Sequence, residues 1–321
     1  MKDLFAKPHP SIFEQQQGPG NDPRLKHLIK NWSGENIDVG LLSVPFDWGV
    51  SLSGGRPGAA QAPDAIRTQI KHYGNAADVG RDIDLTSLAV ADFGNVVTAT
   101  KNSSKTHTNI TAAVKYAFGY AKTLVVLGGG NDISYATIKG FSQTYNGNIG
   151  GMNCDAHFDV REVRDKRMTS GTPYRRLLED NYLKGKNFIE FATQGHVNSS
   201  AHKKWLLSRR ARIFFLSDIR KSGVKRIFAK FALATKDSYA LFVSIDIDSI
   251  AQAFAPGSSA PSPDGLTPQD ALALAYMAGQ HPKVQLFEIM EVSPIYDIDN
   301  MTSRLAVNII FEFLAGYTRR A

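Results

Sequence analysis

Along most of the chain, short runs of apolar residues alternate with longer stretches in which apolar positions recur at helical spacing. The short runs are Ile37–Val44, Thr123–Leu127, Ile149–Cys154, Phe188–Ala192, Ile213–Leu216, Ala240–Ile245 and Val284–Glu291. They are rich in Val, Ile and Phe, and several are apolar at successive positions, as strands buried on both faces of a parallel sheet are. Between them, Pro63–Tyr73, Thr108–Ala121 and Ser134–Gln143 read as helices, and Thr302–Tyr317 as a closing one. Thr267-Pro268-Gln269-Asp270 reads as a helix start, with Thr267 as N-cap and Pro268 in the first helical position. Strand–helix alternation of this kind predicts an α/β fold, a mostly parallel sheet with helices on both faces. No Pro/Ser-rich linker, composition break or internal repeat divides the chain, so one domain is expected. In such sheets ligands sit beyond the carboxyl ends of the strands, and the residues that follow each strand therefore carry the functional question.

Acidic residues gather there. Asn153-Cys154-Asp155-Ala156-His157-Phe158-Asp159 sets two carboxylates around an imidazole; in an extended backbone Asp155, His157 and Asp159 share one side. That donor set suits a divalent ion such as Mn²⁺. Ser244-Ile245-Asp246-Ile247-Asp248 ends a second apolar run. N-capping of a following helix would explain such a pair taken alone. Beside the first cluster, however, carboxylates at one sheet edge would repel by several kcal/mol unless cations lay between them. Leu127-Gly128-Gly129-Gly130-Asn131-Asp132 places glycines where backbone is expected to approach a ligand closely. It lacks both the dinucleotide fingerprint and the phosphate-loop lysine. Glu291 closes the last apolar run, placed for a cationic substrate group or for acid–base work; an ion pair with an arginine is the plainer alternative.

Composition narrows the setting. The chain has 321 residues, 43% hydrophobic and 21% charged, enough for a sizeable core without staples. The single cysteine, Cys154, excludes an internal disulfide framework and fits a reducing compartment. No apolar stretch reaches the roughly 18 residues of a membrane span, and Met1–Gly20 holds two early lysines without an apolar core. A cytoplasmic protein is expected. The net charge of +7 comes largely from Lys203, Lys204, Arg209, Arg210 and Arg212, and from Lys221, Lys225, Arg226 and Lys230, at spacings that read as solvated helix faces. With no nucleic-acid motif present, the charge fits an anionic small molecule better than a polynucleotide.

These clusters carry a family resemblance. Asp155-Ala156-His157-Phe158-Asp159 and Ser244-Ile245-Asp246-Ile247-Asp248, followed by Phe254-Ala255-Pro256-Gly257, resemble the metal motifs of the ureohydrolase (arginase) superfamily. Gly49-Val50-Ser51-Leu52-Ser53-Gly54-Gly55-Arg56-Pro57-Gly58-Ala59 and Pro63-Asp64-Ala65-Ile66-Arg67 resemble its N-terminal motif. The resemblance runs from about residue 37 to 315. It implies a three-layer arginase-like domain with an eight-stranded sheet, residues 1–36 being an extension, and trimeric or hexameric assembly. It also implies two Mn²⁺ ions per subunit held by Asn131, Asp155, His157, Asp159, Asp246 and Asp248.

Within the superfamily, Thr169-Ser170-Gly171-Thr172-Pro173-Tyr174-Arg175 and Asp297 to Ala306 resemble the formimidoylglutamase branch. That branch implies hydrolysis of N-formimidoyl-L-glutamate to glutamate and formamide. Arg161, Ser170 and Thr172 would then bind substrate, while Asp159 and Glu291 act in catalysis. A guanidinium such as Arg161 holds a carboxylate bidentately. The departures are Asn131, where arginases place a histidine ligand, Ala251-Gln252 in place of Asp-Pro, and Tyr174 near the place of another histidine. An amide oxygen is a weaker donor than imidazole, so the ion beside Asn131 is expected to be weakly held or missing. The alternatives are another ureohydrolase acting on agmatine, guanidinobutyrate or arginine, and an inactive arginase-like protein.

Overall fold

The computed structural model describes residues 4–7 and 22–320. Most of Met1–Gly20, read above for a leader, therefore lies outside the described residues. The strands are β1 (Phe5–Ala6), β2 (Ile29–Asn31), β3 (Ile37–Ser43), β4 (Ala77–Asp78), β5 (Ile83–Asp84), β6 (Val90–Val96), β7 (Ala121–Leu127), β8 (Ile149–Cys154), β9 (Phe188–Thr193), β10 (Arg212–Phe215), β11 (Ala240–Asp246) and β12 (Val284–Met290). Among the described residues, ten of these form one sheet, while β4 and β5 pair as a separate hairpin. The sheet runs β6-β3-β7-β12-β11-β8-β9-β10, all parallel, and this is the expected eight-stranded core. Two short strands that precede residue 37 raise the count to ten: β1 pairs antiparallel and β2 parallel with β6.

Alternate residues of each strand enter two apolar layers. Val39, Leu41, Val125 and Leu127 face one, beneath helices Ala62–His72, Val224–Ala234, Pro268–Gln280 and Met301–Tyr317. Leu42, Val44, Leu124 and Val126 face the other, beneath Ser103–Ala117, Ser134–Thr144 and Pro173–Glu179. Burial on both faces is why the strands lack a two-residue alternation of apolar and polar positions. No helix among the described residues is long and apolar enough to cross a membrane.

Three expectations need correction. Strand β6 was not anticipated, because Asp92, Gly94 and Asn95 interrupt its apolar pattern. Asp92 is fully buried there against the equally buried Arg67, through two hydrogen bonds of 2.8 and 2.9 Å. The helix expected at Thr108–Ala121 spans Ser103–Ala117, since the Asn102 side chain caps it by accepting from the Lys105 amide; Ala121 instead opens β7. Glu291 lies just past β12, with a left-handed φ of 63° that turns it out of the strand. The Thr267 start forms as anticipated, with a reciprocal bond to Asp270.

Candidate metal centre

The chain's order of strands puts β7, β12, β11 and β8 side by side in mid-sheet. Their carboxyl ends deliver Asn131, Glu291, Asp246 and Asp155 to one place. Asp155, His157 and Asp159 do not converge by alternation along an extended chain. Beyond Cys154 the backbone leaves the strand. Asp155 Oδ1 accepts the His157 amide at 2.6 Å, and Asp159 adopts a left-handed φ of 48°. Asp246 Oδ1 likewise accepts the Asp248 amide at 2.9 Å. Two neighbouring strand ends thus close with the same side-chain-to-backbone turn, which aspartate forms readily. Turns, rather than extended backbone, gather the donors.

Asp155 belongs to two donor groups. One joins it to His157 and Asp248, the other to Asp159 and Asp246, and within each group the donor atoms lie within 4.8 Å of one another. His157 Nδ1 is 3.0 Å from Asp248 Oδ2 and 3.4 Å from Asp155 Oδ1. Asp155, Asp246, Asp248 and Glu291 are buried. Burial, followed by the charges of neighbouring carboxylates, drives Asp155, Asp246 and Glu291 well above the usual carboxylate range. Asp159 is pushed up to about 6, mainly by burial. The charge of Asp248, partly opposed by burial, lifts His157 to about 12. A cluster that must otherwise hold protons is well matched to divalent cations, and mixed carboxylate–imidazole donors suit Mn²⁺. The buried Asp248 Oδ1 and Glu291 Oε2 have no hydrogen-bond partner, and so are available as donors or acceptors.

Asn131 meets the acids through its NH₂ group. Its Nδ2 donates to Asp159 Oδ2 at 2.7 Å and to Asp155 Oδ2 at 3.4 Å, while its Oδ1 accepts from the Ser134 hydroxyl at 2.7 Å. Its own amide nitrogen donates to Glu291 Oε1 at 2.7 Å. The side chain braces the acids and offers them no oxygen. Nor do the glycines before it leave space for a ligand. A Cβ on Gly129 would collide with the Phe46 carbonyl, and the Gly130 amide donates to that same oxygen at 2.9 Å. The close approach is between two backbone segments.

A cleft of about 220 Å³ opens over the cluster. His157, Asp159, Asp246, Asp248 and Glu291 form its floor, and Arg161, Ser170, Gly171, Ser53–Gly55, Ser259 and Ala260 its walls. Gly171 makes room for Arg161, because a Cβ there would press on the Arg161 side chain, and the Arg161 amide donates to the Gly171 carbonyl at 2.8 Å. Ser170 Oγ lies 3.2 Å from Ser53 Oγ. Thr172 does not reach the cleft: it is buried, its hydroxyl donating to the Thr169 carbonyl at 2.8 Å. Tyr174 is a core residue, stacked on Phe188 at 5.1 Å.

The walls at Ser53–Gly55 and Ser259 have no role predicted from the sequence, although both lie in or beside its motifs. Nor does the sequence predict the support beneath Asp155. Asn153 Nδ2 reaches both Asp155 Oδ2, at 3.4 Å, and the fully buried Glu190, at 3.0 Å. In the sheet register Glu190, Asn153, Ser244 and Glu288 form one row, a buried polar layer two residues below the cluster. Polar residues inside otherwise apolar strands were the signal available for it.

Fold and donor set together define a class: α/β proteins with a carboxylate-rich cation centre beyond the strand ends of a parallel sheet. The chain belongs to the arginase family, whose family model matches residues 37–316. It is 31% identical over 298 residues to the formimidoylglutamase of Bacillus subtilis strain 168, covering 91% of this chain and 92% of that one. To the formimidoylglutamase of Macrococcus caseolyticus it is 34% identical over 278 residues, covering 86% and 84%. The crystal structure of Trypanosoma cruzi formiminoglutamase with Mn²⁺ superposes with a TM-score of 0.89 at 30% identity, covering 94% of this chain and all of that one.

Proposed function

We propose that this chain is a manganese-dependent formimidoylglutamase, cleaving N-formimidoyl-L-glutamate with water to L-glutamate and formamide. The observation that carries the proposal is one cleft holding an acidic floor fit for divalent cations, an acid at Glu291 and a guanidinium at Arg161. A substrate with a cationic amidine at one end and carboxylates at the other matches that polarity. The likeness to named formimidoylglutamases supports it.

Two cations would be held, one by Asp155, Asp159 and Asp246, the other by Asp155, His157 and Asp248 with Asp246. Bound there, they would supply a nucleophile at neutral pH by lowering the pKa of water. The chain's own residues do the rest. Glu291 faces the amidine nitrogens and holds their positive charge against the cluster. Asp159 takes the proton released on attack and hands it to the leaving amine as the C–N bond breaks. Arg161 pairs with a substrate carboxylate, and the Ser170 hydroxyl adds a further donor. With its NH₂ group turned to Asp159, Asn131 would brace that ligand, and an ion held by Asp155, Asp159 and Asp246 would then have fewer protein donors and exchange more readily.

Purified protein loaded with Mn²⁺ and given N-formimidoyl-L-glutamate should release formamide. Turnover of agmatine or guanidinobutyrate, with none of the formimidoyl compound, would reject the assignment; elemental analysis showing no manganese after loading would favour an inactive relative.

A further inference from the structure

The cleft has two walls far apart in sequence, Ser53–Gly55 and Ser259–Ala260, and neither lies in a strand. Their separation is not set by the sheet. Arg56 spans the junction between them. Its backbone amide donates to Ser259 Oγ at 2.9 Å, its Nε to the Ser259 carbonyl at 3.0 Å, and its Nη2 to the Ser258 carbonyl at 2.9 Å. The guanidinium carbon lies 4.1 Å from the centre of the Tyr296 ring, and the Tyr296 hydroxyl donates to the Pro57 carbonyl at 3.1 Å. One side chain therefore ties together three loops.

The loops are anchored on either side of this clip. Asp47 Oδ2 accepts the Gly58 and Ala60 amides at 2.6 and 3.1 Å, and the Ser293 amide donates to the Gly257 carbonyl at 2.7 Å. Between these anchors Arg56 is the cross-link. The task needs a planar fork, because two carbonyls and a ring face must be satisfied at once; a lysine ammonium cannot do this. Arg56 is solvent-exposed, and among the described residues no carboxylate lies within ion-pair distance of it. Its charge is left free beside the cleft.

We propose that Arg56 is a positioning residue for substrate binding. It clips the Ser53–Gly55 wall to the Ser259 wall, fixing the spacing of two sides of the cleft that Arg161 also lines, and its charge, with no carboxylate partner among the described residues, favours an acidic substrate. The inference rests on the cleft being the substrate site. The test compares parent, Arg56→Ala, Arg56→Lys and Tyr296→Leu, each loaded with Mn²⁺.

In Arg56→Ala, KM for N-formimidoyl-L-glutamate should rise about tenfold, the scale of losing a charged hydrogen-bonding group. kcat should stay within about twofold and the Mn²⁺ affinity should not change, since uniform binding alone is lost. Arg56→Lys should remain close to Ala, and Tyr296→Leu should fall between parent and Ala. Hydrogen exchange of residues 54–60 and 257–260 in substrate-free protein should speed up in Arg56→Ala. Unchanged exchange overturns the clip whatever the substrate is. Faster exchange with unaltered KM overturns its role in binding, and a joint fall of kcat and metal affinity overturns its confinement to the walls. A parent enzyme inactive on the formimidoyl compound would instead refute the assigned reaction, while the exchange data would still judge the clip.

Discussion

Replacing Asp159 by asparagine should stabilise the metal-free protein at neutral pH and destabilise the manganese form. The reason lies in the crowding of acids at the strand ends. Asp159 is raised from 3.8 to about 6, chiefly by burial and further by the Asp248 charge, against an opposing pull from His157. Its folded pKa therefore exceeds its unfolded one. Between pH 4 and 6 the folded chain still holds a proton that the unfolded chain has lost, so stability falls as pH rises through that window. Above it the penalty is constant. A little over two pKa units, at 1.36 kcal/mol each, sets it at about 3 kcal/mol as an upper bound. Asparagine fills nearly the same volume without the charge. Chelator-treated Asp159→Asn should match the parent near pH 4 and exceed it at pH 8 by up to about 3 kcal/mol, or roughly 4 °C in Tm. With saturating Mn²⁺ the order should reverse, because the substitution removes a donor. Urea or thermal unfolding of both proteins at the two pH values, with and without metal, reads the whole pattern. If the variant is weaker than the parent at pH 8 in chelator, the account of a proton-hungry acid cluster fails.

Arg161→Ala should raise KM for an acidic substrate about tenfold to a hundredfold, the range for a lost charge-assisted hydrogen bond; steady-state kinetics decide, and an unchanged KM would remove Arg161 from substrate binding. Asn131→His should tighten Mn²⁺ binding at the Asp155–Asp159–Asp246 group by about tenfold, the lower end of what metal-shell changes produce, measurable by titration calorimetry. Asn153→Leu leaves buried Glu190 and Asp155 without their shared donor. It should cost about 1–3 kcal/mol of stability and loosen metal binding, seen as a lower unfolding midpoint and a higher Kd. Arg67→Met strands the fully buried Asp92 carboxylate and should cost about 3–5 kcal/mol, with Mn²⁺ affinity unaffected.

Much of the candidate site was legible because its elements are short and local. Asp-x-His-x-Asp and Asp-x-Asp each follow an apolar strand, and a strand end at the carboxyl edge of a parallel sheet is where ligands bind. Glu291 was found by the same rule. What local pattern could not give was conformation beyond the strands. Asp155 and Asp159 approach one another through an aspartate turn and a left-handed residue, not through the alternation of an extended chain. Asn131 carries an oxygen and a nitrogen of nearly equal size, and only its neighbours decide which faces the acids. Ser134 takes the oxygen and the carboxylates take the NH₂ group. Thr172 lies two residues from Ser170 in sequence yet turns into the core.

By itself the sequence determined the α/β class, the parallel sheet, the helix start at Thr267 and the acids at the strand ends. Those features follow from hydrophobic periodicity and from residue chemistry over a few positions. Only the tertiary structure decided which strand ends are neighbours, because β7, β12, β11 and β8 become adjacent through crossovers that no local pattern encodes. It also decided that Asp92, a polar residue in mid-strand, could be buried, since its partner Arg67 comes from a helix 25 residues away. The same holds for the cleft wall, where Arg56 meets a carbonyl 203 residues further along the chain. Such contacts satisfy polar groups across long separations, and the cost of leaving those groups unpaired, not the propensity of any segment, selects them.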